Sequence, residues 1–396
     1  MVAKGGTILK LLLKNCRLIP QLSDGYETES GAVLIKNGKI EKIYDCSGDW
    51  LLEERCRMVD CQGRTLLPGL FDAHTHLNYD YYNGILRLND FKLLVNSCLT
   101  AKRFLDFGIT TIRDMGSAKG HAAYVKEAIQ RGLFLGPNIV TAGTILCPVC
   151  RRSVPDPNAF IRYFSGIDDL VRQVREEAGD GADFIKLYGQ GEPPEILEEE
   201  MEAAVRIAHR LGRKIAVHAH DASSIHMSLK AGVDTIEHGS FIREEDIQIL
   251  KAGETYLVPT LSILSPDVPM PGTTPEQKLQ MLQPLLEANA ENIGRAYREG
   301  LVLGFGTDVD IKDFGETAGV EFKMRKEYCG MKNIDMLLQA TKYSAKICGL
   351  EAVTGEIKEG LAADLILVEG NPDEDISVMY KKPERVWISG REHHPQ

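Results

Sequence analysis

From Leu9 to about Thr65 the chain sets short apolar runs between turn residues. LLLKNCRLI, GAVLIKNGKIEKIYD and RMVDCQGRTLL alternate like strands and are broken by Gly, Asn and Asp. Helical spacing is missing there, and the same texture returns at the other end in GEIKEGLAADLILVE and RVWISGR. The two ends therefore predict one small β-sandwich built from residues 1–66 and 353–396. The opening MVAKGGTILKLLLKN reads as a strand, being too interrupted for a signal-peptide core and too short to span a bilayer.

Between these ends, over residues 67–352, the pattern changes to short apolar strands, each followed by a segment with apolar residues three and four apart. Eight strands can be counted: LLPGLFDAHTH, ITTIRDM, NIVTAG, FIKLY, KIAVHAH, DTIEHG, TYLVPTLS and LVLGFGTD. Helices are expected at Ile196 to Leu211, Ala222 to Ala231 and Glu244 to Lys251. Alternation of this kind and number predicts an α/β protein whose main body is a (β/α)₈ TIM barrel.

A length of 396 residues suits a large domain with a smaller companion. The formal charge of −11 argues against a nucleic-acid partner, because phosphate binding needs clustered Lys and Arg, and no face looks polybasic. Nine cysteines, an odd number spread without a secretory signal, fit reduced thiols in a cytoplasmic protein. Neither membrane nor nucleic acid is expected as a partner; a small-molecule substrate is.

In such a barrel the reactive face lies at the C-terminal ends of the strands, so the polar residue closing each apolar run carries the chemistry. His74 and His76 close the first strand, and since alternate strand residues share a face, both imidazoles point the same way. His218 and His220 repeat the spacing on the fifth strand; Lys186 closes the fourth, His238 the sixth and Asp308 the eighth. Singly these are weak signals: paired strand histidines are often surface, a strand-end Lys is ordinarily solvated, and Asp308 could cap a helix. Together they gather a ligand set suited to divalent cations, zinc first among them. Lys186 is the odd member, because an ammonium beside two cations is unfavourable. Reaction of its neutral amine with carbon dioxide would give an anionic carbamate whose two oxygens could bridge two metals.

FDAHTH, GADFIK, VHAH, TIEHG and GTD, in this order and on these strands, resemble the amidohydrolase superfamily. PGLFDAHTH, TTIRDMG and GEIKEGLAADLILVEGNP extend the likeness over nearly the whole chain, towards the imidazolonepropionase-like and metallo-dipeptidase (prolidase) branch. The resemblance implies one metal on His74, His76 and Asp308, a second on His218 and His238, and carboxylated Lys186 between them. Two cations sharing a water would make it a hydroxide nucleophile near neutral pH. Asp308 would carry its proton to the leaving nitrogen, and His220 would donate to the developing oxyanion. The expected reaction is cleavage of an amide C–N bond in a dipeptide or N-acyl amino acid, by an enzyme that is a homo-oligomer like its relatives.

Dipeptidases of this kind hold the substrate carboxylate with a glycine-rich, His-containing loop after the third strand. Here that loop reads TAGTILCPVCRRSVPDP, without the His, and Arg151 and Arg152 are the candidates to pair with a carboxylate instead. Tyr188, two residues after Lys186, is a candidate substrate contact. Cys147 and Cys150 lack the second pair a structural zinc requires and read as free thiols. His121, His209, His226, His393 and His394 lie off the strand ends and read as surface or helix residues. A one-metal deaminase or a cyclic-amide or urea hydrolase is the rival reading. It would use Asp221, three residues after His218, but leaves Lys186 without a task. A non-catalytic scaffold is the remaining alternative, and it sits poorly with a complete ligand set.

Overall fold

The computed structural model describes residues 10–45, 56–78, 90–149, 160–190, 195–270, 272–310 and 319–395. The first run, KLLLKNCRL, forms β1 (Lys10–Leu18), antiparallel to β2 (Thr28–Lys36), which turns directly into β3 (Lys39–Tyr44). That turn is Asn37-Gly38, with φ of 53° and 82°, the pair of left-handed residues that a two-residue hairpin demands. β1 also pairs in parallel with β4 (Arg57–Asp60); past Asn15, at φ 55°, it meets β5 (Thr65–Pro68) through Arg17 and Thr65.

The next strands are all parallel. β6 (Leu70–Thr75), β7 (Ile109–Asp114) and β8 (Asn138–Thr141) make one sheet. β9 (Ile145–Pro148), β10 (Ile161–Phe164), β11 (Phe184–Tyr188), β12 (Lys214–Ala219), β13 (Thr235–His238) and β14 (Tyr256–Val258) make another, in the order β10-β9-β11-β12-β13-β14. Backbone hydrogen bonds cross from one sheet towards the other on both sides. Asp183 N donates to Thr141 O at 2.7 Å. On the far side, Gly304 N donates to Leu257 O at 2.9 Å and Ala73 N to Phe305 O at 2.7 Å.

Two strands depart from the sequence pattern. The third, NIVTAG, forms β8 alone, and past Gly143, at φ 74°, the stretch read as a loop carries a further strand, β9. The eighth, LVLGFGTD, is no regular strand; it keeps one isolated bridge, Leu257 to Leu303. Its path runs so close to β6 that a Cβ on Gly306 would lie 2.5 Å from the His74 Cβ, so glycine is required there.

Helices alternate with the strands: α1 (Asp90–Asp106), α2 (His121–Gln130), α3 (Ile167–Gly179), α4 (Glu198–Arg210), α5 (Ala222–Ala231), α6 (Glu244–Ala252), α7 (Pro275–Arg298) and α8 (Val320–Cys329). α4 begins later than expected because the Glu200 carboxylate turns back to accept from Leu197 N, making Leu197 the cap. Strand and helix side chains share one continuous core that includes Phe104, Ile112, Leu146, Ile185, Val217, Ile236, Leu257 and Phe305.

The chain then returns to the first sheet. β15 (Leu365–Val368) pairs antiparallel with β5 and is followed outward by β16 (Arg385–Ile388) and β17 (Arg391–His393). Leu13, Val33 and Ile35 from the beginning pack in a second core with Leu365, Leu367 and Trp387 from the end. Among the described residues, no helix is long and apolar enough to cross a membrane.

Candidate metal centre

Alternation along β6 turns His74 and His76 to one side, where Asp308 meets both. Its Oδ1 is 3.6 Å from His74 Nε2 and 3.5 Å from His76 Nε2. Asp308 has φ 53°, a left-handed conformation that costs about 1 kcal/mol or more for a residue with a Cβ. It is held there by its own N–H, which donates to His74 O at 2.8 Å.

A second group forms where β12 and β13 end. His218 Nδ1 and His238 Nε2 lie 2.9 Å apart, and the His220 ring stacks on His238 with centroids 4.4 Å apart. His238 also has positive φ, 71°, and this turns its ring to the side that strict alternation would deny it. Nitrogens about 2.0–2.1 Å from a tetrahedral zinc stand about 3.3 Å apart, so the spacings in both groups suit shared cations.

The far ring nitrogens are anchored. His74 Nδ1 meets Glu237 Oε2 at 2.7 Å, His76 Nδ1 meets Gly116 O at 2.9 Å, and His238 Nδ1 meets Thr260 Oγ1 at 2.7 Å. His220 Nδ1 meets Ser240 Oγ, and His218 Nε2 meets Gln190 Oε1, each at 2.7 Å. Partners of this kind fix ring orientation and tautomer in metal sites. Burial, helped by neighbouring positive charge, lowers the His76 pKa to about 3 and that of His220 to about 4, and takes His218 and His238 well below the usual imidazole range. Shifts in this direction favour neutral His76, His218, His220 and His238 rings near pH 7, the form that binds metal.

Lys186 is buried, and its Nζ has no hydrogen-bond partner among the described residues. Burial lowers its pKa to about 8 despite the opposing pull of Glu237 and Asp308. Its charge acts on His76 in one group and on His218, His220 and His238 in the other. An unsatisfied buried amine of reduced basicity, next to both groups, has the chemistry a carbamate needs.

Tyr188 stacks on His218 at 4.3 Å and donates its hydroxyl to Gln190 at 3.0 Å, so it stands in the same site. Arg151, Arg152 and Cys150 lie outside the described residues. Cys147 is buried in β9, its thiol 3.5 Å from Pro148 O. Asp221 caps α5, accepting from Ser224 N at 2.8 Å and from the Ser223 and Ser224 hydroxyls. Of the histidines read as surface or helix residues, His121 is a helix residue, buried where it opens α2, while His393 is buried in β17 and meets Asp106 Oδ1 at 2.7 Å. A single-sequence pattern could not show that the C-terminal strand packs against the end of α1.

Three charged residues escaped the sequence reading. Glu237 and Arg113 are fully buried together, with Arg113 Nη1 donating to Glu237 Oε1 at 3.0 Å. Burial alone would raise the Glu237 pKa, but Arg113 and the His74 bond outweigh it and hold the carboxylate below its usual range. Asp72 joins β6 to the 303–308 segment. The available signal was a charge inside a short apolar strand, as in ITTIRD, TIEHG and LFDAH.

The sequence model of the Amidohydrolase family matches residues 65–392. Ochratoxinase of Aspergillus niger is 27% identical over 369 residues, covering 82% of this chain and 75% of that protein. Among solved structures, a Xaa-Pro dipeptidase with methionine bound in its active site superposes with TM-score 0.83 at 28% identity, over 97% of this chain and 100% of that one. A prolidase complexed with N-methylphosphonate-L-proline gives 0.84 at 25% identity, over 98% and 100%.

Proposed function

The chain belongs to the amidohydrolase family, and on that premise we propose that it is a two-metal hydrolase cleaving the amide C–N bond of a small molecule such as a dipeptide or N-acyl amino acid. The observation that carries the two-metal reading is the buried Lys186 amine, without a hydrogen-bond partner among the described residues and set near both histidine groups. A one-metal site would strand it. His74, His76 and Asp308 would hold one cation, His218 and His238 the other, with carbamylated Lys186 bridging. In the same reading, β6, β7, β8 continued by β9, β11, β12, β13, β14 and residues 303–308 close into an eight-stranded barrel, with β10 outside it.

The bound cations, zinc or a similar ion, would supply a water made acidic enough to attack near neutral pH. Asp308 would take up the proton released as water attacks and pass it to the departing nitrogen. Its raised pKa, caused by burial, favours a carboxylate able to hold that proton. His220, oriented by Ser240, would donate to the carbonyl oxygen as charge grows there. Tyr188 would line the pocket beside His218. The deaminase alternative is weakened by Asp221, whose carboxylate serves as the cap of α5.

The test is a screen of metal-reconstituted protein against dipeptides, N-acyl amino acids, cyclic imides, ureas and aminopurines. Metal-dependent cleavage of an acyclic amide is expected. Ammonia release from aminopurines or pyrimidines, with no amide cleaved, would overturn the proposal.

A further inference from the structure

We propose that Glu237 makes the two cation positions unequal: by positioning His74 it makes the His74–His76–Asp308 position the tighter, and the first to fill. This rests on the two-metal reading above.

The five histidines differ in what anchors them. Of these five, and among the described residues, His74 is the one whose Nδ1 meets a carboxylate. The corresponding anchors of the others are neutral: a backbone carbonyl for His76, hydroxyls for His220 and His238, and the Gln190 amide oxygen for His218. An N–H donated to an anion raises electron density on the opposite ring nitrogen and makes it a stronger ligand.

The Glu237 carboxylate is divided between two tasks. Oε1 accepts from Arg113 at 3.0 Å and from Thr235 Oγ1 at 2.6 Å, leaving Oε2 for His74. Arg113 is itself fixed, with Nη2 donating to Thr235 at 2.8 Å and its guanidinium 4.5 Å from the Phe184 ring centre. The arrangement keeps the His74 proton on Nδ1 and directs the Nε2 lone pair towards the side where Asp308 stands 3.6 Å away. The His218–His238 pair has no such device among the described residues. Glu237 is thus a positioning residue that acts through His74.

Zinc titration of chelator-treated protein against a competing chromophoric chelator reads the two uptake steps separately. Wild type should take up two ions with distinct constants. Glu237→Gln should weaken the tighter step about 10–100-fold and leave the weaker one in place. Since that change strands the buried Arg113 charge, the pair Glu237→Gln with Arg113→Met is the second variant, and circular dichroism of both identifies the folded one to be read. A first step that is unmoved in a folded variant, or a shift confined to the second step, would overturn the proposal while leaving the two-metal hydrolase intact. A wild type that takes up one ion would overturn both.

Discussion

Asp72 and Thr307 are joined twice: Asp72 Oδ1 accepts from Thr307 N at 3.0 Å and Oδ2 from its hydroxyl at 2.6 Å. Asp72 Oδ1 also accepts from His74 N at 3.2 Å, so one buried carboxylate sets the backbone of the residues on either side of the first cation position. Asp72→Ala would leave buried donors unpaired and should cost about 2–4 kcal/mol, with loss of turnover. Asp72→Asn keeps an acceptor for the backbone donors and should lose clearly less. Denaturant unfolding of both variants measures this; equal stability of Ala and Asn would show that the clamp does not contribute.

If Lys186 becomes a carbamate, activity recovered on adding metal to the stripped protein depends on dissolved carbon dioxide. Reconstitution in carbonate-free buffer should give little activity, and bicarbonate should restore it. Lys186→Arg, which keeps the cation but cannot form the carbamate, should stay inactive in both. Labelled bicarbonate should also yield a carbamate carbon resonance in the reconstituted wild type. Full recovery without carbon dioxide contradicts the bridge.

His74, His76, Lys186 and His218 could be read from the sequence because each closes an apolar run, where side-chain direction follows from strand alternation; Asp308 closes an apolar run too, but its direction is set by a φ of 53° rather than by alternation. His238 and Glu237 show where that rule stops. Thr235 and Glu237 share a face, with the Thr235 hydroxyl donating to the carboxylate, so alternation alone would send His238 away. A φ of 71° brings it back, and no sequence pattern encodes that turn. The eighth strand was legible as an apolar run, but neither its irregular pairing nor the close approach of Gly306 to His74 was. Arg113 was hidden for another reason: its partner Glu237 is 124 residues away in the chain, a pairing set by tertiary packing.

His220 stands close enough to His218 and His238 to be either a metal ligand or a donor to the substrate oxygen. As the donor, His220→Ala should lower kcat about 10²–10³-fold while KM and zinc content stay near wild type. A variant that loses one zinc per chain would make it a ligand instead.

Asp114 is fully buried, and burial lifts its pKa to about 6 against the pull of hydrogen bonds from Leu77 N and the Thr141 hydroxyl. Because the folded-state pKa lies above the unfolded value near 3.9, the folded state binds more protons between about pH 4 and 6. The group therefore lowers stability as pH rises through that window, by an amount on the order of 3 kcal/mol. Asp114→Asn removes the titration and should flatten that part of the stability–pH curve. An unchanged slope would show that Asp114 titrates normally.

The most direct measurement is anomalous diffraction at the zinc edge from crystals of the metal-loaded protein. Two peaks per chain are expected, one against His74, His76 and Asp308 and one against His218 and His238, with added density on Lys186 Nζ between them. A single peak beside an unmodified Lys186 would contradict the two-metal site.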